Sequence, residues 1–92
     1  MIRSFRCEET RELYGEYESR RFRAIERPAR KRLRALDAAT GLADLRAIRG
    51  NHLEALKGDR DGQYSIRIND RWRLCFRWRD GNAYDVEIVD YH

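Results

Sequence analysis

Long apolar stretches are missing from this sequence. No run approaches the ~18 consecutive apolar residues that a membrane-crossing helix needs, which argues against a membrane location. The opening "MIRSFRCEETR" holds no hydrophobic core followed by a cleavage site, so the protein is expected to stay where it is made, in the cytoplasm. Cysteine is scarce. Cys7 and Cys75 are too few for a secreted disulfide scaffold, and their strand-like contexts suit reduced, small packing residues. The two histidines, His52 and His92, combine with those thiols in no recognisable zinc-ligand spacing, and nothing implies a cofactor. Lysine is nearly absent too: every basic residue except Lys31 and Lys57 is arginine. Repeats, low-complexity tracts and linkers do not occur.

What remains is enough for one domain spanning residues 1–92. A chain of this size buries roughly 60–65% of its unfolded surface around a single core. Its 41% apolar and 11% aromatic residues support folding despite 39% charged residues. The net charge of +4 is modest for a nucleic-acid binder, but it is carried by arginine. Arginine presents a planar fork of donors that suits phosphate and stacks on bases. An arginine bias of composition would leave the same trace.

The periodicity changes midway along the chain. "MIRSFRC" alternates like a short first strand, and "EETRELYGEYES" is a weak helix with Leu13, Tyr14 and Tyr17 as its apolar positions. "RPARKRLRALDAAT" is the strongest helix: Pro28 suits its first turn, Ala29, Leu33, Leu36 and Thr40 share a face, and Gly41 can cap its end. "LADLRAI" adds a shorter helical piece. From Leu53 onward the period is two. "LEAL" is a brief strand, "KGDRDG" is turn chemistry, and "QYSIRIN", "DRWRLCFRWR" and "NAYDVEIVD" are strands. The fold class expected is α+β, with two main N-terminal helices packed on a mostly antiparallel four-strand meander.

Parity sets the expected register of the last hairpin. If both apolar faces point into one core, paired residues need the same parity, which a three-residue loop Arg79-Asp80-Gly81 supplies. Trp72–Ile88, Leu74–Val86 and Phe76–Tyr84 are then pairs, with Arg73 facing Glu87 on the opposite side. That opposite face carries Arg67, Arg71, Arg73 and Arg77 and is too basic for a second core. Val89 and Tyr91 fall on it, and Asp90 and His92 toward the other face or round its edge.

Such a face with a terminal Asp-Tyr-His suits RNA cleavage. The reaction needs a base for the 2′-hydroxyl proton, a cation for the phosphorane charge and an acid for the departing 5′-oxygen. His92 is the candidate acid or base, Arg73 and Lys57 the candidate electrostatic stabilisers. Tyr91 can donate a hydrogen bond or stack on a base, and Asp90 can accept a proton or orient a neighbour. Each has a plainer reading as well: a solvated end for His92, a half-buried strand residue for Tyr91, a strand cap for Asp90, and a cross-strand ion pair for Arg73.

"LDAAT", "NHLEALKGDRDGQYSIRINDRWRLCFRW" and "AYDVEIVDYH" together resemble the HigB toxins of the RelE/ParE toxin–antitoxin superfamily, over nearly the whole chain. The resemblance is most specific in "LKGDRDGQYSI", "NDRWRLCFRW" and the closing "VDYH". It implies a small microbial-RNase-like fold and a metal-independent, ribosome-dependent endoribonuclease that cleaves mRNA in the A site. It implies a helix-turn-helix antitoxin, with which the toxin represses its operon at operator DNA. The family's catalytic triplet falls on Asp90, Tyr91 and His92, its strand arginine on Arg73 and its basic loop residue on Lys57, with Arg67, Arg71 and Arg77 left to contact RNA. Many members carry a histidine where this chain has Glu54, with His52 two residues earlier. A carboxylate ordinarily titrates near ~4.3 and is a weak base for a hydroxyl, so cleavage that relies on Glu54 is expected to be attenuated. Two other functions fit the same surface: a non-catalytic ParE-like topoisomerase poison, against which "VDYH" argues, and an RNA- or DNA-binding module without chemistry. The arginine-rich helix, Arg30 to Arg34, is either a solvated face with acidic neighbours or a ribosomal RNA contact.

Overall fold

The computed structural model describes residues 1–90. Three helices, α1 (Glu8–Tyr14), α2 (Glu26–Ala38) and α3 (Leu42–Ala47), precede four strands, β1 (Glu54–Ala55), β2 (Gln63–Arg67), β3 (Trp72–Arg79) and β4 (Asn82–Asp90). The strands form one antiparallel sheet in the order β1-β2-β3-β4. Helices α1 and α2 pack on one of its faces, which establishes the expected α+β architecture.

The apolar stripe of α2 does what its spacing predicts. Ala29, Leu33 and Leu36 are fully buried, together with Leu13 of α1 and Ile66, Leu74, Phe76, Val86 and Ile88 of the sheet. Phe22 meets Trp72 edge to face at 5.5 Å between ring centroids. Thr40 and Gly41 depart from expectation. Helix α2 ends at Ala38, Thr40 is exposed, and Gly41 is the residue before α3 rather than a cap for α2. The Asp44 carboxylate accepts from the Thr40 backbone N–H at 2.9 Å and its hydroxyl at 3.0 Å, fixing the chain between the two helices. Tyr17, expected on the apolar face of α1, lies beyond that helix and is exposed.

The last hairpin differs from the parity argument. Its loop is the two-residue Asp80-Gly81, with both residues at positive φ (51° and 77°), so Arg79 pairs with Asn82 and Trp78 with Ala83. A β-bulge then restores parity. Cys75 faces Glu87 and Arg77 faces Tyr84, so Phe76 alone stands opposite Asp85 and Val86. Asp85 takes φ 52° there. Beyond the bulge the pairs are Leu74–Ile88, Arg73–Val89 and Trp72–Asp90, in place of the expected register. Tyr84 consequently lies beside Arg77 on the open face, not beneath Phe76, and Arg73 has Val89 opposite it instead of Glu87.

The expected first strand is shorter than its alternation suggested. It forms two isolated parallel bridges to β4, Ile2 with Ala83 and Phe5 with Val86. The bulge falls between them, and the Ser4 hydroxyl receives the Asp85 N–H at 2.8 Å, giving that amide a partner away from β3.

Candidate functional site

The sheet face turned away from the helices is organised in rows that cross the strands. Glu54, Ser65, Cys75 and Glu87 pair successively from β1 to β4, and next to them run Arg67, Arg73 and Val89. The centre of this face is more closed than its arginine content suggested: Gln63, Ser65 and Cys75 are buried. Burial pushes the Cys75 thiol up to about 11, which keeps it protonated and makes it a packing group.

Arg67 and Arg73 are direct cross-strand neighbours, a like-charged pair that destabilises a sheet unless anions balance it. Each has an acidic neighbour. Arg67 binds Asp70, and the Arg73 guanidinium lies 3.6 Å from the Glu54 carboxylate. The Arg73 side chain is 17% exposed, so its fork is held by the sheet rather than free to swing. Glu54 also lines a cleft of about 550 Å³ with Ala55, Leu56, Lys57, Asp59 and Arg60. Glu54 thus links two other expected site residues, pairing with Arg73 and sharing a cleft with Lys57.

Arg71 and Asp90 form a second group. Nε and Nη2 of Arg71 both donate to one Asp90 oxygen, at 3.0 and 2.8 Å, and the Arg71 guanidinium lies 5.2 Å from the Trp72 ring centroid. The hydrogen bonds and charge of Asp90 push the Arg71 pKa up. The Asn69 side chain sets Arg71 in place by accepting the Arg71 and Trp72 backbone N–H groups at 2.9 and 2.8 Å. The Asp90 carboxylate is therefore already engaged with a cation beside the row that holds Arg73. Tyr91 and His92 lie outside the described residues. Arg77 stands apart, toward the hairpin turn, where its Nε is 3.6 Å from the Asp85 carboxylate.

Glu87, expected opposite Arg73, has other partners. Glu87 sits 3.5 Å from both Arg6 and Arg60, tying the turn after Lys57 to the middle of β4. Arg60 also donates to Gln63 at 3.1 Å. Only the bulged register would have revealed this cluster. His52 is exposed at φ 47°, on the loop before β1.

Two arginines of α2 reach backbone carbonyls, and Arg34 pairs with a side chain at the surface. Arg30 donates to the Leu13 and Tyr17 carbonyls at 3.1 and 3.0 Å, Arg32 to the Arg67 carbonyl at 3.0 Å, and Arg34 to Glu16 at 2.7 Å. These contacts fasten α1 and β2 to α2.

A helix-backed antiparallel sheet of this kind is also the fold of a solved toxin–antitoxin structure. It aligns with the YoeB–YefM complex from Staphylococcus aureus at a TM-score of 0.57 and 20% identity, over 100% of this chain and 98% of that one. The family model described as the RelE-like toxin of type II toxin–antitoxin system HigB matches residues 3–92, and the chain belongs to that HigB-like toxin family. It is 44% identical over 62 residues to the Endoribonuclease HigB of Proteus vulgaris, covering 66% of this chain and 65% of that protein. It is 42% identical over 65 residues to Toxin HigB-1 of Vibrio cholerae, covering 71% of this chain and 68% of that protein.

Proposed function

We propose that this toxin is a metal-independent endoribonuclease that cuts mRNA in the ribosomal A site and so halts translation in the cytoplasm. The observation that supports it most is the Arg67–Arg73 pair on an open sheet face, with Glu54 3.6 Å from Arg73. A phosphodiester seated on that pair meets guanidinium donors where charge develops in the phosphorane, and Lys57 adds a second cation from the neighbouring cleft. His92 protonates the leaving 5′-oxygen, Glu54 takes the 2′-hydroxyl proton, and Tyr91 supports a base or donates to the phosphate. Asp90 acts through Arg71, holding that guanidinium at 2.8 Å as a further RNA contact. A carboxylate in the role of base makes the enzyme slow. A helix-turn-helix antitoxin neutralises the toxin, and the pair binds operator DNA.

Expression of the chain is expected to arrest growth and to cut messages within translated frames. His92→Gln combined with Tyr91→Ala, and separately Arg73→Ala, should each lower cleavage on programmed ribosomes by about 10²–10⁴-fold. Cleavage that survives these changes, or that proceeds equally well on naked RNA, would remove the proposal.

A further inference from the structure

The bulge and the two-residue turn create a second cleft on the open face, of about 400 Å³, lined by Gly62, Arg77, Trp78, Arg79, Tyr84 and Asp85. It lies on the same face as Arg73, four residues further along β3, which is about 13–14 Å of strand. None of the groups assigned to the cleavage step sits in it.

Its chemistry is that of a nucleotide subsite. The Arg79 guanidinium stacks on the Tyr84 ring with 4.7 Å to the centroid, a planar cation on an aromatic platform, and both surfaces accept a base face. Arg77 supplies a guanidinium for a phosphate. The left-handed Asp85 turns its carboxylate toward Arg77 at 3.6 Å, where it can also accept from a base amino group or a ribose hydroxyl. Gly62 leaves the opening clear, since a Cβ there would stand 2.8 Å from the Arg77 Nη1 and its φ of 90° disfavours any side chain. Arg77, Arg79, Tyr84 and Asp85 each offer a contact that single-stranded RNA can use, and the distance from Arg73 fits a nucleotide near the scissile bond but not at it.

We propose that this cleft binds a nucleotide of the mRNA flanking the cleaved bond, with its base stacked on Tyr84 and Arg79. The proposal rests on the ribonuclease reading and extends it to the substrate outside the reacting centre. Arg77 and Asp85 hold the sugar–phosphate side while the stack holds the base.

The test uses the full chain and an RNA oligonucleotide carrying a cleavable codon, together with the same oligonucleotide made abasic at the flanking positions. Binding is read by fluorescence anisotropy, and cleavage on ribosomes programmed with matching messages. Tyr84→Ala should weaken binding of the intact RNA roughly 5- to 150-fold, the range for losing one stacked base. Tyr84→Phe should restore it. Abasic RNA should weaken wild-type binding by the same factor, with no further loss in Tyr84→Ala. Wild-type protein that binds both RNAs equally or neither, or losses that multiply when combined, would overturn the proposal. So would a Tyr84→Ala chain, folded by its melting curve, that loses antitoxin but keeps RNA. If RNA binding depends on Tyr84 yet no message is cut, the ribonuclease reading fails and the subsite stands. If messages are cut whatever occupies position 84, the subsite fails alone.

Discussion

Asp37 joins three separated parts of the chain. From α2 its carboxylate accepts the Ile2 backbone N–H at 2.8 Å, and it accepts the hydroxyl of Tyr14 at the end of α1. The Ile2 hydrogen bond holds the Asp37 carboxyl below its ordinary pKa of 3.8, with the Tyr14 bond acting the same way against burial. Burial, and then the bond to Asp37, push the Tyr14 hydroxyl up. A carboxyl whose folded pKa is lowered contributes stability that is complete above its unfolded value and is lost as the pH falls through the folded one. Asp37→Asn should therefore cost about 1–3 kcal/mol near neutral pH. In urea titrations the gap to wild type should close below about pH 4; a gap that stays constant into acid would show that the charge is irrelevant. "RALDAAT" suggests only an acid beside the helix arginines and gives no sign of these contacts, because the partners of Asp37 lie far away in sequence. By contrast Arg73 was legible, since strand alternation alone puts it on the open face. Glu54 was legible by position in a motif, and its contact with Arg73 follows from the β1–β2–β3 pairing.

At the scale of elements, both outcomes of the sequence reading have identifiable causes. Period and burial located the strong helix and β2 to β4 closely, because a stripe such as Ala29, Leu33 and Leu36 has only one way to face a core. The β3–β4 register departs from continuous parity because one extra residue enters β4. Asp80-Gly81 is a strong two-residue turn signal, and the bulge at Asp85 reconciles that turn with an unbroken apolar face. An aspartate in a left-handed conformation gives little warning of itself in a sequence. Helix α2 teaches the complementary lesson. Its run of arginines reads as a nucleic-acid contact or a solvated face, yet Arg30 and Arg32 are ties to backbone carbonyls. Arg30→Ala should destabilise the fold by about 1.5–3 kcal/mol, the range for hydrogen bonds to a charged group, whereas exposed Lys31→Ala should stay within about 0.5 kcal/mol. Chemical denaturation of both variants checks this, and equal midpoints would contradict it. Reversing Arg30, Arg32 and Arg34 together would damage the scaffold as well as any RNA contact.

For the whole molecule, a net charge of +4 is carried largely by arginine. Arg67, Arg73 and Arg77 share the open face and Arg71 lies at its rim, each beside one carboxylate: Asp70, Glu54, Asp85 and Asp90 in turn. Folding brings these like charges together, so an anion that bridges them favours the folded state by mass action, by about 2.7 kcal/mol at a hundredfold excess over its dissociation constant. A short RNA should raise the melting temperature at low salt, and added salt should erase the gain. A melting temperature indifferent to RNA at low salt would count against a polyanion-binding face.

Two stretches far apart in sequence close the sheet's last edge together. Ile2 and Phe5 dock on Ala83 and Val86, so neither bridge exists until β4 has its bulged shape. A change that straightens the bulge at Asp85 would therefore unseat the Ile2–Phe5 segment as well as shift the strand that carries Asp90.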